Sequence, residues 1–167
     1  MPLPIAVRFQ EAVAAADRGG AQADDEFVAL GTAAPTLAGP PLNHGILLCR
    51  GQQWAEAEIA LNEALKRHPS SATAAAQLGV AYRQLGKFAD AEQAYRRALE
   101  LDANDARTHR NLGVLLDLYI QKPVEALAEY ERSLALAGGD DKVMSAWIAE
   151  IRQRLSAGQK SARTEAQ

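Results

Sequence analysis

The sequence predicts an all-α chain, a solenoid of stacked antiparallel helix pairs closed by a carboxy-terminal capping helix. Three glycines, Gly45, Gly79 and Gly113, recur at an interval of 34 residues, each followed by a pair of aliphatic residues. Two alanines per unit keep the same period, Ala57 with Ala91 and Ala64 with Ala98. A fixed period of this length marks stacked supersecondary units that bury their apolar faces on one another. Composition agrees: 48% of the 167 residues are hydrophobic but only 5% aromatic, as in closely packed helices rich in alanine and leucine.

The first unit, residues 4–37, is degenerate. One period back from Ala57, Leu61 and Pro69 stand Ala23, Phe27 and Pro35, while its first helix, Ile5 to Asp17, reads Gln10-Glu11 at the glycine position. Arg18-Gly19-Gly20 forms its turn. The second unit, 38–71, carries Gly45, Leu48, Trp54, Ala57, Leu61 and Ala64, and Pro69 stops its second helix. In the third, 72–105, Ser71 caps a first helix that Gly86 ends in a left-handed turn, and a second helix runs from about Phe88 to Leu101. Ala75, Leu78, Gly79 and Tyr82 face Ala91, Tyr95 and Ala98 across this hairpin. The fourth unit, 106–140, has His109, Leu112-Gly113, Leu116, Ala126, Tyr130 and Ser133, its later landmarks one residue late. Pro123 suits the first position of its second helix, so the surplus residue falls within Asp117 to Lys122, where an extended first helix would expose Tyr119 and Ile120. Gly138-Gly139 ends that unit, and Asp140 or Asp141 caps a helix over 141–156 with Met144, Trp147, Ile148, Ile151 and Leu155 on one stripe. Residues 1–157 read as one domain and 158–167 as a flexible tail, because that end has too little apolar content to pack.

Leu78-Gly79, Tyr82, Gly86, Phe88, Ala91, Tyr95 and Ala98 resemble the tetratricopeptide repeat (TPR) pattern, of bacterial type, with Ala75 in place of its usual tryptophan and Ala103 in place of its proline. The resemblance covers residues 38 to 140 well. It implies a right-handed α-solenoid and a non-catalytic protein-binding role, with no cofactor.

The residues themselves argue against several function classes. A formal net charge of −3 without a basic block disfavours binding to a nucleic-acid backbone, and no apolar run approaches the roughly 18 to 20 residues that span a bilayer. The start at Met1 lacks the order of a secretory signal, so the sequence as written reads as cytoplasmic, or periplasmic if the true start lies upstream. The single Cys49 has no internal disulfide partner. His44 and His109 lie on core-facing stripes and His68 at a helix end, so none reads as a catalytic base beside Cys49. Asp102 with Asp105, and Asp140 with Asp141, lack calcium-loop spacing and read as helix caps, so no metal site is expected.

The informative surface is the other side of each first helix. In the fourth unit Arg107, Arg110, Asn111, Val114 and Asp117 share a stripe displaced from the core stripe. The repeat carries it to Gln77, Val80 and Arg83, then to Asn43, Ile46 and Arg50, and in the first unit to Arg8. Stacked units would place these residues along a concave groove in which arginines outnumber the one acid, Asp117. Amides there can bond an extended backbone, aliphatics accept side chains, and guanidinium forks favour carboxylates. The expected function is a scaffold that binds a peptide segment or helix of another protein, one that contributes acidic groups. The alternative, again from the resemblance, is an assembly factor for a bacterial envelope machine such as a pilus or secretion complex.

Overall fold

A computed structural model describes residues 3–19 and 22–165, with side chains to residue 158; Gly20 of the first turn lies outside the described residues. All regular structure among them is helical. In order the helices are α1 (Ile5–Asp17), α2 (Gln22–Ala33), α3 (Gly39–Arg50), α4 (Trp54–Arg67), α5 (Ala72–Gln84), α6 (Phe88–Leu101), α7 (Ala106–Val114), α8 (Pro123–Leu136) and α9 (Lys142–Glu165). The chain divides into two compact units, Met1–Leu101 and Asp102–Gln167, where the sequence alone suggests one domain over 1–157. The division falls at a turn of short polar residues: Asp102 accepts from the backbone of Asn104, and Asp105 caps α7.

In the first unit the helices pack as the pairs α1/α2, α3/α4 and α5/α6. Helix axes approach where side-chain bulk is absent. A Cβ built on Gly79 would lie 2.6 Å from two ring carbons of Tyr95, and one on Gly45 would lie 2.6 Å from Leu61 Cγ. Carbon atoms ordinarily meet at about 3.5–4.0 Å, so glycine is the residue these contacts require. Around them Leu48, Ala57, Ala60, Leu61, Leu78 and Ala81 form one buried cluster, with Trp54 and Tyr82 packed against it. Ala12, Ala23, Phe27 and Leu30 form another, in which Phe9 meets Phe27 with ring centroids 6.2 Å apart. The degenerate first repeat thus keeps its core through aromatic residues in place of a glycine contact.

The second unit holds α7, α8 and α9. Gly113 repeats the close approach, its built Cβ falling 2.6 Å from the Tyr130 ring. The surplus residue is absorbed by a π-helical turn over Leu115–Tyr119. Equivalent turn bonds count it directly: Gln53 N donates to Leu48 O and Lys87 N to Tyr82 O, five residues back, but Lys122 N reaches Leu116 O, six back. Such an inserted residue widens one helical turn without unfolding it. It leaves Tyr119 46% exposed and Ile120 half-buried. Pro123 opens α8, and Asp141 caps α9 by accepting from Met144 N at 2.9 Å.

Helix α9 buries Met144, Ile148 and Ile151 and sets Trp147 against Tyr130, ring centroids 5.6 Å apart. The sequence reading ends this helix at 156 and places a flexible tail from 158, whereas α9 runs on to Glu165. Apolar content governs packing rather than helicity. Residues such as Ala157, Gln159, Lys160, Ala162 and Arg163 have the intrinsic propensity to propagate a helix.

Candidate functional site

The twelve candidate side chains all belong to first helices or to the π turn. None is buried. In the first unit Arg8, Asn43, Ile46, Gln77, Val80 and Arg83 are half-exposed and Arg50 is exposed; in the second Asn111, Val114 and Asp117 are half-exposed and Arg107 and Arg110 exposed. The same helices turn Gly45, Leu48, Leu78, Gly79, Leu112, Gly113 and Leu116 inward. The two stripes of each helix therefore have separate tasks, one packing and one surface.

The surface charges are more balanced than their sequence positions imply. Arg8 Nε meets Glu26 Oε1 at 2.7 Å and Arg50 Nη1 meets Asp17 Oδ1 at 3.3 Å, so two of the arginines are answered from within the first unit. Asp117, the one acid read into the groove, is bridged by Arg154 Nη2 at 2.6 Å, its side chain only 9% exposed. Arg110 stacks on the indole of Trp147, its guanidinium carbon 5.2 Å from a ring centroid. Such a cation–π contact leaves the exposed guanidinium able to meet a further anion. Asn43 is partly spent, its amide donating to Gly39 O at 2.9 Å. Arg107 has no ion-pair partner among the described residues.

Arg83 is different. Its Nε is buried without a hydrogen-bond partner, as is the hydroxyl of Tyr95. Burial pushes the Tyr95 phenol up to about 12, with the nearby Arg83 charge pulling weakly the other way, although no hydrogen bond of good geometry joins the two. Burial likewise raises the Cys49 thiol, which makes it a poor nucleophile.

Two of the three histidines meet carboxylates, and His68 meets the Ser70 hydroxyl at 3.1 Å. His44 Nε2 lies 2.8 Å from Asp24 Oδ1, and His109 bridges Glu129 at 2.7 Å and Ala103 O at 3.1 Å. Local spacing cannot reveal either pair, since the acids come from other helices. No cluster of three metal-ligating side chains occurs among the described residues, and no helix there is long and apolar enough to cross a membrane.

A family model described as tetratricopeptide repeat matches residues 42–106 and 82–141. No curated protein matches the chain. Among solved structures, the TPR domain of Arabidopsis OM64 is 22% identical with a TM-score of 0.64, over 70% of this chain and 94% of that one. The first TPR of Spaghetti (RPAP3), bound to the HSP90 peptide SRMEEVD, is 24% identical with a TM-score of 0.66, over 71% and 93%. MamA from Desulfovibrio magneticus RS-1, residues 41 to the end, is 21% identical with a TM-score of 0.73, over 83% and 78%. At these identities the likeness carries the fold alone, an all-α solenoid of helix pairs.

Proposed function

The chain belongs to the tetratricopeptide repeat family, and on that footing we propose that it is a non-catalytic protein–protein interaction scaffold whose first-helix faces hold a peptide segment or helix of a partner. The observation that carries this reading is the division of each first helix into a buried packing stripe and a stripe of amides, aliphatics and arginines with no core role. A similar fold accommodates a peptide, that of the HSP90-peptide-bound neighbour. Arg107 and the stacked fork of Arg110 favour a partner that brings carboxylates, since such forks bond both oxygens of the group. The Arg8–Glu26 and Arg50–Asp17 pairs lower that preference at the first unit's end.

The test is affinity capture followed by titration of the captured partner at low and high salt. Arg107→Glu reverses an exposed charge; Arg83→Gln removes one without setting a carboxylate against the buried Tyr95 hydroxyl. Two contacts of roughly 1 kcal/mol each would together lower affinity about tenfold or more, and the loss should shrink at high salt. Undiminished binding by the folded double variant would place recognition elsewhere.

A further inference from the structure

A face of the first unit unrelated to these arginines carries its own signal. Between α2 and α4 lies an open trough of about 610 Å³, floored by Phe27, Pro41 and Ala60. Its two lips are aliphatic side chains held in water, Ile59 at 73% and Val28 at 51% exposure. Exposed apolar residues are common singly, but two of them flanking an apolar concavity mark a contact surface.

The polar groups of the trough are almost all spent. His44 binds Asp24 at 2.8 Å, and Thr32 Oγ1 donates to Val28 O at 3.1 Å. Arg67 binds Glu63 at 3.0 Å and reaches the carbonyls of Gly31, Ala34 and Leu37 near the end of α2. Glu56 alone among the titratable lining residues has no hydrogen bond or ion pair within the described residues; it is exposed, one turn before Ile59. The occupant must therefore be apolar along its length and cationic at the Glu56 end. It must also satisfy its own backbone, because both walls are helices whose N–H and C=O groups are already paired, and an extended strand would find no partners there. From Glu56 to Arg67 the wall runs about 16 Å, roughly three turns of a docked helix.

We propose that this trough is a second docking site, which takes an amphipathic helix of a partner protein with a basic residue opposite Glu56. The site does not rest on the first-helix faces and would stand if they bound nothing.

The probe is a labelled amphipathic peptide with leucines at i, i+3 and i+7 and lysine at one end, together with a twin carrying glutamate for lysine, titrated against the full chain by fluorescence anisotropy. The wild-type protein should prefer the lysine peptide. Ile59→Asp should cut its binding tenfold or more. Glu56→Lys should weaken the lysine peptide and strengthen the glutamate twin. Both positions are exposed, so the variants should stay folded, with thermal unfolding of Glu56→Lys lowered only slightly by the loss of a first-turn carboxylate of α4, and that serves as the control. Equal binding by wild type and variants, or no exchange of charge preference, would overturn the proposal. So would a concentration-dependent wild-type dimer that Ile59→Asp abolishes, which assigns the trough to a second copy. Saturable uptake of a fluorescent fatty acid without peptide binding would assign it to a small apolar ligand.

Discussion

Replacing Gly79 with alanine sets two effects of known sign against each other. In an exposed helix the change stabilises by about 1 kcal/mol, because alanine loses less backbone entropy. Here the new Cβ would stand 2.6 Å from Cδ1 and Cε1 of Tyr95, about 1 Å inside ordinary contact. The Tyr95 ring is fully buried, so α5 and α6 must part or the ring must leave its rotamer. Such overpacking costs about 1–3 kcal/mol, which outweighs the propensity gain and leaves a net loss of about 1 kcal/mol. The protein contains its own control. Gly158 lies in α9 with nothing within 4 Å of a built Cβ, so Gly158→Ala should stabilise where Gly79→Ala destabilises. Urea unfolding followed by circular dichroism, with the slope held constant, reads both changes as midpoint shifts. In a Tyr95→Ala background Gly79→Ala should lose its destabilising effect, since the Cβ then enters space the ring has vacated. A Gly79→Ala midpoint that rises in step with Gly158→Ala would refute the close approach of α5 and α6.

Truncation after Gly139 should strip the second unit of Met144, Ile148 and Ile151 and of the Trp147–Tyr130 contact, each large apolar side chain worth roughly 1.5–3 kcal/mol; light scattering should report aggregation, and a monomer of full stability would show α9 to be dispensable. Tyr95→Phe removes a buried hydroxyl that has no partner, so chemical denaturation should find the variant as stable as the parent or more so, and a loss of 1 kcal/mol or more would mean the hydroxyl is bonded after all. Because burial raises the Cys49 thiol, its alkylation in the folded protein should reach half-maximum above the ordinary value of about 8.5. The folded state then keeps that proton longer than the unfolded chain, so stability should fall as pH climbs from the ordinary thiol value through the raised one, a dependence that Cys49→Ala should reduce.

Helix pairing was legible because it is written in local chemistry. Gly45, Gly79 and Gly113 mark places where a Cβ cannot fit, and Ser71, Gly86 and Asp105 mark ends that a short side chain or a positive φ must make. The surplus residue near Asp117 was also legible as a count, but not as a π turn. A delayed landmark says that a residue has been added, whereas only the bond from Lys122 N to Leu116 O says which turn widened. The end of α9 was misread for the opposite reason. A lack of apolar residues is not a lack of helix, since helix propagation depends on backbone and side-chain entropy, to which Ala157, Lys160 and Ala162 are suited.

The surface charges resisted reading because ion pairs form between helices, and sequence spacing within one helix is silent about them. Yet a signal was present. Asp17 and Arg50 lie 33 residues apart and Asp117 and Arg154 lie 37 apart, each close to one period; the first pair joins the ends of α1 and α3, the second the π turn and the middle of α9. A periodic array should therefore be scanned for opposite charges one repeat apart before its surface cations are assigned to a partner. By that rule Arg50 is committed within the fold and Arg107 remains available. The reading of an acid-seeking face then narrows from five arginines to Arg107, to Arg110, whose guanidinium lies over the Trp147 ring, and to Arg83, whose Nε stays buried and unanswered. A freely solvated cation loses hydration and rotamer freedom when a carboxylate arrives, whereas a guanidinium already against an aromatic face has given up part of both. Within the second unit Arg110 should accordingly carry more of the affinity than the freer Arg107, and Arg110→Lys, which keeps the charge but not the plane, should lose more than Arg107→Lys.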